Sequence, residues 1–214
     1  MQFISDFPGK NESQFSLEGG GRSTLALTNF VKQAKNKIVI QSPYLILSDQ
    51  AVSLFRETIQ RGVKIQISTN SLAATDNLQA FSGYKNQRKS LLDMGIEIYE
   101  YRPYPQVQQQ LLERYPTIKS KNPVFALHAK TMIIDSRVIF IGTYNLDPRS
   151  QNLNTEVGII IDNNALAKTV EQTVLTDMKT GNSWPAGHEP EQYASLDKRI
   201  KVFFWQLLPI KPIL

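Results

Sequence analysis

The chain of 214 residues contains no cysteine and only two histidines, His128 and His188. The first absence excludes disulfides, thiolate metal sites and a cysteine nucleophile, and it leaves the redox compartment open. The second argues against a multi-histidine metal centre within one chain, so neither a metal nor another cofactor is expected. Long apolar runs are missing as well: none approaches the roughly 20 residues that cross a bilayer. The opening residues, MQFISDFPGKNES, show no basic leader ahead of an apolar stretch, hence no visible secretory signal. Acidic residues are in deficit, 19 against 24 Lys and Arg. The net charge of +5 favours anionic partners without choosing between lipid headgroups and nucleic acid. What is present, 41% hydrophobic and 20% charged residues, is the composition of a globular protein with a sizeable core.

Helical and strand patterns alternate, which predicts an α/β architecture around a largely central sheet. Residues 2–5 read as a first strand. Ser23 or Thr24 caps a helix running to Lys35, and residues 37–41 are a short apolar run suited to a strand covered on both faces. A helix opened by Ser48 and Asp49 carries Ala51, Val52, Phe55 and Ile59 on one side and ends at Gly62. Residues 63–67 alternate as a strand, a helical pattern covers about 77–94, and 96–101 returns to strand. The segment 102–122 holds three prolines, a glutamine run and little periodicity, and reads as an extended surface loop. Between Arg102 and Ile134 five basic residues face one acidic residue, so the approach to His128 is positively biased. Residues 125–134 and 137–141 read as a hairpin joined at Asp135 and Ser136, and 153–161 as a further strand. Leu166, Val170, Val174 and Met178 mark a helix, 184–190 a loop, and 196–208 a last amphipathic helix.

The chemistry sits in ALHAKTMIIDSRVIFIGTYNLDPRS. His128 and Lys130 stand two apart in a β-rich run, so their side chains share one side of the strand with backbone positions roughly 7 Å apart. One group attacks or donates a proton while the other holds negative charge, a pairing suited to phosphoryl chemistry. The spacing His128-x-Lys130-x4-Asp135-x6-Gly142-x2-Asn145 resembles the HKD signature of the phospholipase D superfamily, matched without a gap. The runs SPYLILSD, TNSLAATD, FSGYKNQR, GIEIYEYRP and GTYNLDPRSQNLNTEVG carry the resemblance over nearly the whole chain. It is strongest to the C-terminal half of bacterial cardiolipin synthase-like phospholipases.

The resemblance implies a phospholipase D-like α/β/α sandwich with a mixed central sheet, one HKD half spanning residues 1–214. It implies two motifs around one active site and a phosphohistidine intermediate formed without a metal. In that scheme one histidine attacks phosphorus and its counterpart protonates the leaving group. Lys130 and Asn145 bind the phosphoryl oxygens. Gly142 lets the strand turn tightly toward Asn145. Asp135 falls within the motif; at the hairpin corner it reads as an organiser of the turn or a partner for a cation rather than a proton carrier. Glu156 occupies the position from which the family draws the carboxylate that orients the imidazole, the alternative being a strand-edge surface glutamate. Ser150 either adds a hydroxyl near the phosphate or serves the turn at Asp147-Pro148-Arg149-Ser150. Ser71 follows a strand end and reads as a lining residue. Gly19-Gly20-Gly21-Arg22 cradles an anion or merely connects; lacking the Gly-Lys-Ser/Thr ending of a nucleotide loop, it reads better as a connector.

The implied substrate is a phospholipid, with transfer of a phosphatidyl group to an alcohol or to water, at the surface of the bacterial cytoplasmic membrane. Residues 198–214 contain four basic residues and no acidic one. Phe203, Phe204, Trp205, Leu207 and Leu208 therefore either enter a membrane interface or cover the domain's own core. No second His-x-Lys exists, since Glu189 and Pro190 follow His188. A complete site then needs a second HKD half, from a longer enzyme or from a second copy of the chain. The rival readings are a phospholipase D-type nuclease, for which nucleic acid is the less expected partner, and a non-catalytic half that binds lipid or phosphate.

Overall fold

The computed structural model describes residues 1–10 and 20–214; Gly19 of the glycine run lies outside the described residues. Eight strands form one mixed sheet: β1 (Gln2–Ser5), β2 (Lys37–Gln41), β3 (Lys64–Asn70), β4 (Glu97–Tyr101), β5 (Thr131–Ile134), β6 (Val138–Gly142), β7 (Val157–Asp162) and β8 (Ser183–Pro185). Their spatial order is β1-β7-β6-β5-β2-β3-β4-β8. Only β2, β3 and β4 run parallel to one another, linked by helical crossovers, and the remaining pairings are antiparallel.

Strand β2 is buried along nearly its whole length because both of its faces are covered. Ile38 and Ile40 enter a large core shared with helices α1 (Arg22–Gln33), α2 (Asp49–Gln60) and α3 (Leu78–Asp93). Val39 points the other way, into a smaller core with Ile133 and Ile139. There it meets Ala167, Val174 and Met178, brought by a helix spanning Asn164–Asp177. The result is the α/β/α layering around a mixed sheet that the sequence predicts.

Helix boundaries follow local chemistry. Ser48, Asn77 and Asn163 each accept a backbone N–H from the third residue onward, at 3.2, 2.9 and 2.9 Å. Helix α1 corrects an expectation: it begins at Arg22 on Gly21 without a side-chain cap and ends at Gln33, so Ser23 and Thr24 lie inside it and do not cap it. A Cβ at position 21 would strike the Asp6 carboxylate and the Lys10 stem, so the glycine is a point of close approach between the N-terminal segment and this helix.

Three further expectations are corrected. The segment 102–122 contains two short helices, α4 (Gln106–Glu113) and α5 (Pro116–Lys119). Pro116 sits in the first turn of α5, where its missing N–H costs nothing, so proline there starts a helix rather than breaking one. Residues 184–190 are not simply a loop, since β8 pairs with β4 and Trp184 stacks on Tyr193 at 4.6 Å with Arg102 over its ring. Finally, the strand expected over 125–134 is confined to its last four residues, β5.

Candidate active site

His128 and Lys130 lie in the extended but unladdered stretch just before β5. Two contacts stand in for a ladder. Asn70, at the end of β3, accepts the Leu127 N–H at 2.7 Å and donates to the Leu127 carbonyl at 2.9 Å. One side chain thus supplies both bonds that a neighbouring strand would have made. Three residues on, the Gly142 N–H donates to the Lys130 carbonyl at 3.1 Å. The ribbon carrying His128 is therefore pinned on both sides of the histidine, and the imidazole itself is exposed.

The Lys130 ammonium donates at 2.9 Å to the backbone carbonyl of His128, a contact with the ribbon and not with the imidazole. Burial pulls the ammonium below its ordinary range, while the carboxylates of Glu156, Asp147 and Asp76 act in the opposite sense. Glu156 is buried, and the Thr143 hydroxyl donates to it. No hydrogen bond joins Glu156 to His128 among the described residues, so the orienting bond expected for the imidazole is not made here. The alternative of a surface glutamate is excluded by burial.

Asn145 follows the end of β6, and a set of short bonds fixes its loop. The Asn145 N–H donates to the Ser150 hydroxyl at 3.1 Å, and the Ser150 N–H donates to Asp147 at 2.6 Å. Asp147 caps a short helix, α6 (Pro148–Asn152), and burial raises its carboxyl above the ordinary range despite those bonds from Ser150. On the other side, the Leu146 N–H donates to the Ser42 hydroxyl at 3.0 Å, and the Leu146 carbonyl accepts from Ile46 at 2.7 Å. The Asn145 side-chain oxygen is buried and has no hydrogen-bond partner among the described residues. An amide oxygen left unpaired inside a protein costs about 1–3 kcal/mol, and such exceptions concentrate at ligand sites.

Several expected roles change. Ser150 is fully buried and positions Asn145. Ser71 does not line a site: it is fully buried, donates to the Tyr101 carbonyl at 2.6 Å and accepts from the Ala74 N–H. Asp135 lies at the far end of β5 from His128, in a left-handed hairpin turn with Ser136. Burial works against its charge, yet the N–H groups of Lys37, Lys35 and Asn36 hold the carboxyl below its usual range. It ties the hairpin to the start of β2 and belongs to the scaffold, not to the chemistry. Gly142 keeps ordinary strand geometry. Its role is close packing, because a Cβ there would meet Gly158 Cα and Phe140 Cζ at 2.8 Å and strike the Val157 carbonyl.

Other groups at the site escaped the sequence reading. Tyr44 donates to Asp76 at 3.2 and 3.3 Å, and burial together with that carboxylate pushes its hydroxyl up to about 12. Behind Glu156 lies a buried ion pair: Lys10 donates to Asp6 at 2.8 Å and to the Ser150 and Asn154 carbonyls at 2.7 and 3.2 Å. Asp6 in turn accepts the Ser23 and Glu156 N–H groups at 2.8 and 3.1 Å.

The final amphipathic helix, α8 (Leu196–Gln206), packs on α3 through buried Val202. Phe203, Phe204 and Leu207 remain 59%, 62% and 67% exposed, so covering the core accounts for only one face. The basic residues around it are mostly engaged. Lys198 donates to the carbonyls of Leu72, Ala73 and Thr75, Lys201 pairs with Asp197, and Lys211 pairs with Asp49. Among the described residues no helix is long and apolar enough to cross a membrane.

With this geometry in place, comparison with known proteins is informative. A family profile described as the phospholipase D-like domain of cardiolipin synthase matches residues 27–178. Cardiolipin synthase C of Escherichia coli is 36% identical over 177 residues, covering 81% of this chain and 36% of that protein. The chain thus spans about a third of the length of this curated relative. Among solved structures, phosphatidylserine synthase of Haemophilus influenzae superposes with a TM-score of 0.63 at 16% identity, over 91% of this chain and 45% of that one. Nuc of Salmonella typhimurium, a phospholipase D family member, superposes with a TM-score of 0.59 at 14% identity, over 86% and 98%. At those identities the structural likeness speaks to the fold.

Proposed function

This chain belongs to the family of cardiolipin synthase phospholipase D-like domains, and from that premise we propose that it is one half of a phosphatidyl-transferring active site. His128 serves as one of two histidines. One imidazole attacks phosphorus and the bond to the leaving alkoxide breaks, leaving a phosphohistidine; the second imidazole delivers the proton to that alkoxide. An alcohol or water, deprotonated by the second imidazole, then attacks phosphorus and frees the first. Lys130 and Asn145 hold the non-bridging oxygens, where an ammonium and an amide N–H stabilise charge that grows in the transition state. Glu156, Asp147 and Asp76 act on Lys130 in the sense opposite to its burial.

The observation that carries the reading is the pairing of an exposed His128 with a ribbon pinned by Asn70 and Gly142. An exposed imidazole on a ribbon pinned at its backbone suits a second motif closing over it, from the remainder of a longer enzyme or from a second copy. The acceptor alcohol, and the balance between transfer and hydrolysis, are set by that missing wall.

The test combines solution mass with lipid turnover. His128→Ala abolishes phosphatidyl transfer and hydrolysis while leaving the unfolding curve unaltered; retained turnover refutes the assignment. An inactive monomer supports a half enzyme, an active dimer supports self-completion, and an active monomer overturns the need for a second motif.

A further inference from the structure

Beside Asn145 lies a cavity of about 540 Å³ with a mixed lining. Tyr44, Asn77, Asn145 and Asp147 are among its polar walls, and Trp205, Ile210, Ile213 and Leu214 among its apolar ones. The apolar wall is built rather than draped. The Leu214 carbonyl accepts the Arg149 N–H at 2.7 Å, and a Cβ at Gly83 of α3 would come within 2.9 Å of Leu214 Cδ1. Lys211 adds an ion pair to Asp49 at 2.8 Å.

We infer that this cavity is the acyl-proximal subsite: it takes the glycerol and first methylenes of a diacyl phospholipid whose phosphate sits at Asn145 and Lys130. The inference rests on the catalytic reading above and adds to it the residues that select a hydrocarbon-bearing diester. A volume of this size is in the range of pockets that hold a small ligand, and it suits the neck of a lipid rather than two whole chains. A headgroup diester without chains would leave Trp205, Ile210 and Ile213 facing water and gain nothing from them. The remaining chain length leaves past Ile213, half-exposed at the mouth, toward the exposed Leu207 and Leu208. Specificity for lipid thus resides in the segment after α8, remote in sequence from the motif that does the chemistry.

Two measurements test this. The first needs no turnover. In a Trp184→Phe background Trp205 is the single indole. Its fluorescence is followed on adding monomeric dihexanoyl-phosphatidylglycerol with brominated chains, or the deacylated headgroup glycerophosphoglycerol. Saturable quenching by the acylated probe, at least tenfold weaker binding in Ile210→Ser/Ile213→Ser and recovery in Ile213→Leu are expected. The second is the ratio of kcat/KM for diacyl lipid to that for a soluble aryl phosphodiester, expected to fall at least tenfold in the double serine variant, equivalent to about 1.4 kcal/mol. Equal binding of both probes, or quenching unmoved by the serine variants, overturns the subsite. Chain-dependent quenching upholds the subsite whether or not the chain turns over alone; turnover that survives His128→Ala defeats the catalytic reading instead.

Discussion

Asn70→Ala isolates the contact on which His128 depends. The asparagine side chain, itself buried, makes bonds of 2.7 and 2.9 Å to the N–H and carbonyl of buried Leu127. Alanine leaves both backbone groups without partners, at about 1–3 kcal/mol each when water cannot reach them. Some water enters the space vacated by the amide, so a total of about 2–4 kcal/mol is expected. Much of that loss is local, because residues 122–130 form no strand ladder and open more readily than the sheet. Hydrogen exchange at the Leu127 amide should therefore accelerate by about 30- to 1,000-fold, with a smaller loss of global stability. In the complete two-motif enzyme kcat should fall by about 10- to 100-fold, since displacing an attacking group by about 1 Å carries such a penalty. The assay pairs amide exchange by mass spectrometry with lipid turnover. Unchanged Leu127 protection refutes the claim that Asn70 substitutes for a strand; lost protection with full activity refutes the claim that the pinning serves His128.

Glu100 is fully buried, where burial pushes its carboxyl up to about 7 even though the Arg88 charge and the Tyr84 hydroxyl pull it down. Its folded value lies above the unfolded 4.5, so the stability it contributes is fully present below about pH 4.5 and lost as pH rises through 7. The gap corresponds to on the order of 3 kcal/mol. Chemical denaturation across pH 5 to 8 should show this slope in the native chain and a flatter one in Glu100→Gln; parallel slopes would falsify the linkage. Gly142→Ala should cost about 1–3 kcal/mol through overpacking against Gly158 and Phe140, lowering the thermal midpoint by about 5 °C. A midpoint equal to that of the native chain would mean that β6 and β7 are not in tight contact there.

How far the site was legible depends on the range of each contact. His128, Lys130 and Asn145 stood out because fixed spacing within one hairpin translates directly into shared position. Asn70 did not, because its partner lies 57 residues onward, and nothing local marks a strand-end amide as a surrogate for a neighbouring strand. Its place just after an apolar strand did attract attention to the Thr69-Asn-Ser-Leu run, yet the rule selected Ser71, whose hydroxyl turns inward to Tyr101. The Asp6 bond to the Glu156 amide spans 150 residues and is invisible to any pattern of period two or 3.6. Helix α6, in contrast, was readable in principle: Asp147 as cap with Pro148 at the first helical position is a start signal, and only its five-residue length hid it.

The long-range contacts share a direction: they converge on the rear of the proposed site. Lys10 and Asp6 are removed from water, a costly arrangement that a pair of apolar residues would often match or better. What an apolar pair cannot do is hold the Ser150 and Asn154 carbonyls and the Glu156 amide at once. Those groups abut Asn145 and the carboxylate acting on Lys130. The rear of the site is thus fixed by charge within the chain, and its polar groups need nothing from a partner to stay in place. At the front the ribbon is pinned on both sides of His128 through its backbone, while the His128 side chain itself is exposed. Bracing behind and an exposed imidazole ahead fit the proposal that a second motif docks there without any refolding of this chain.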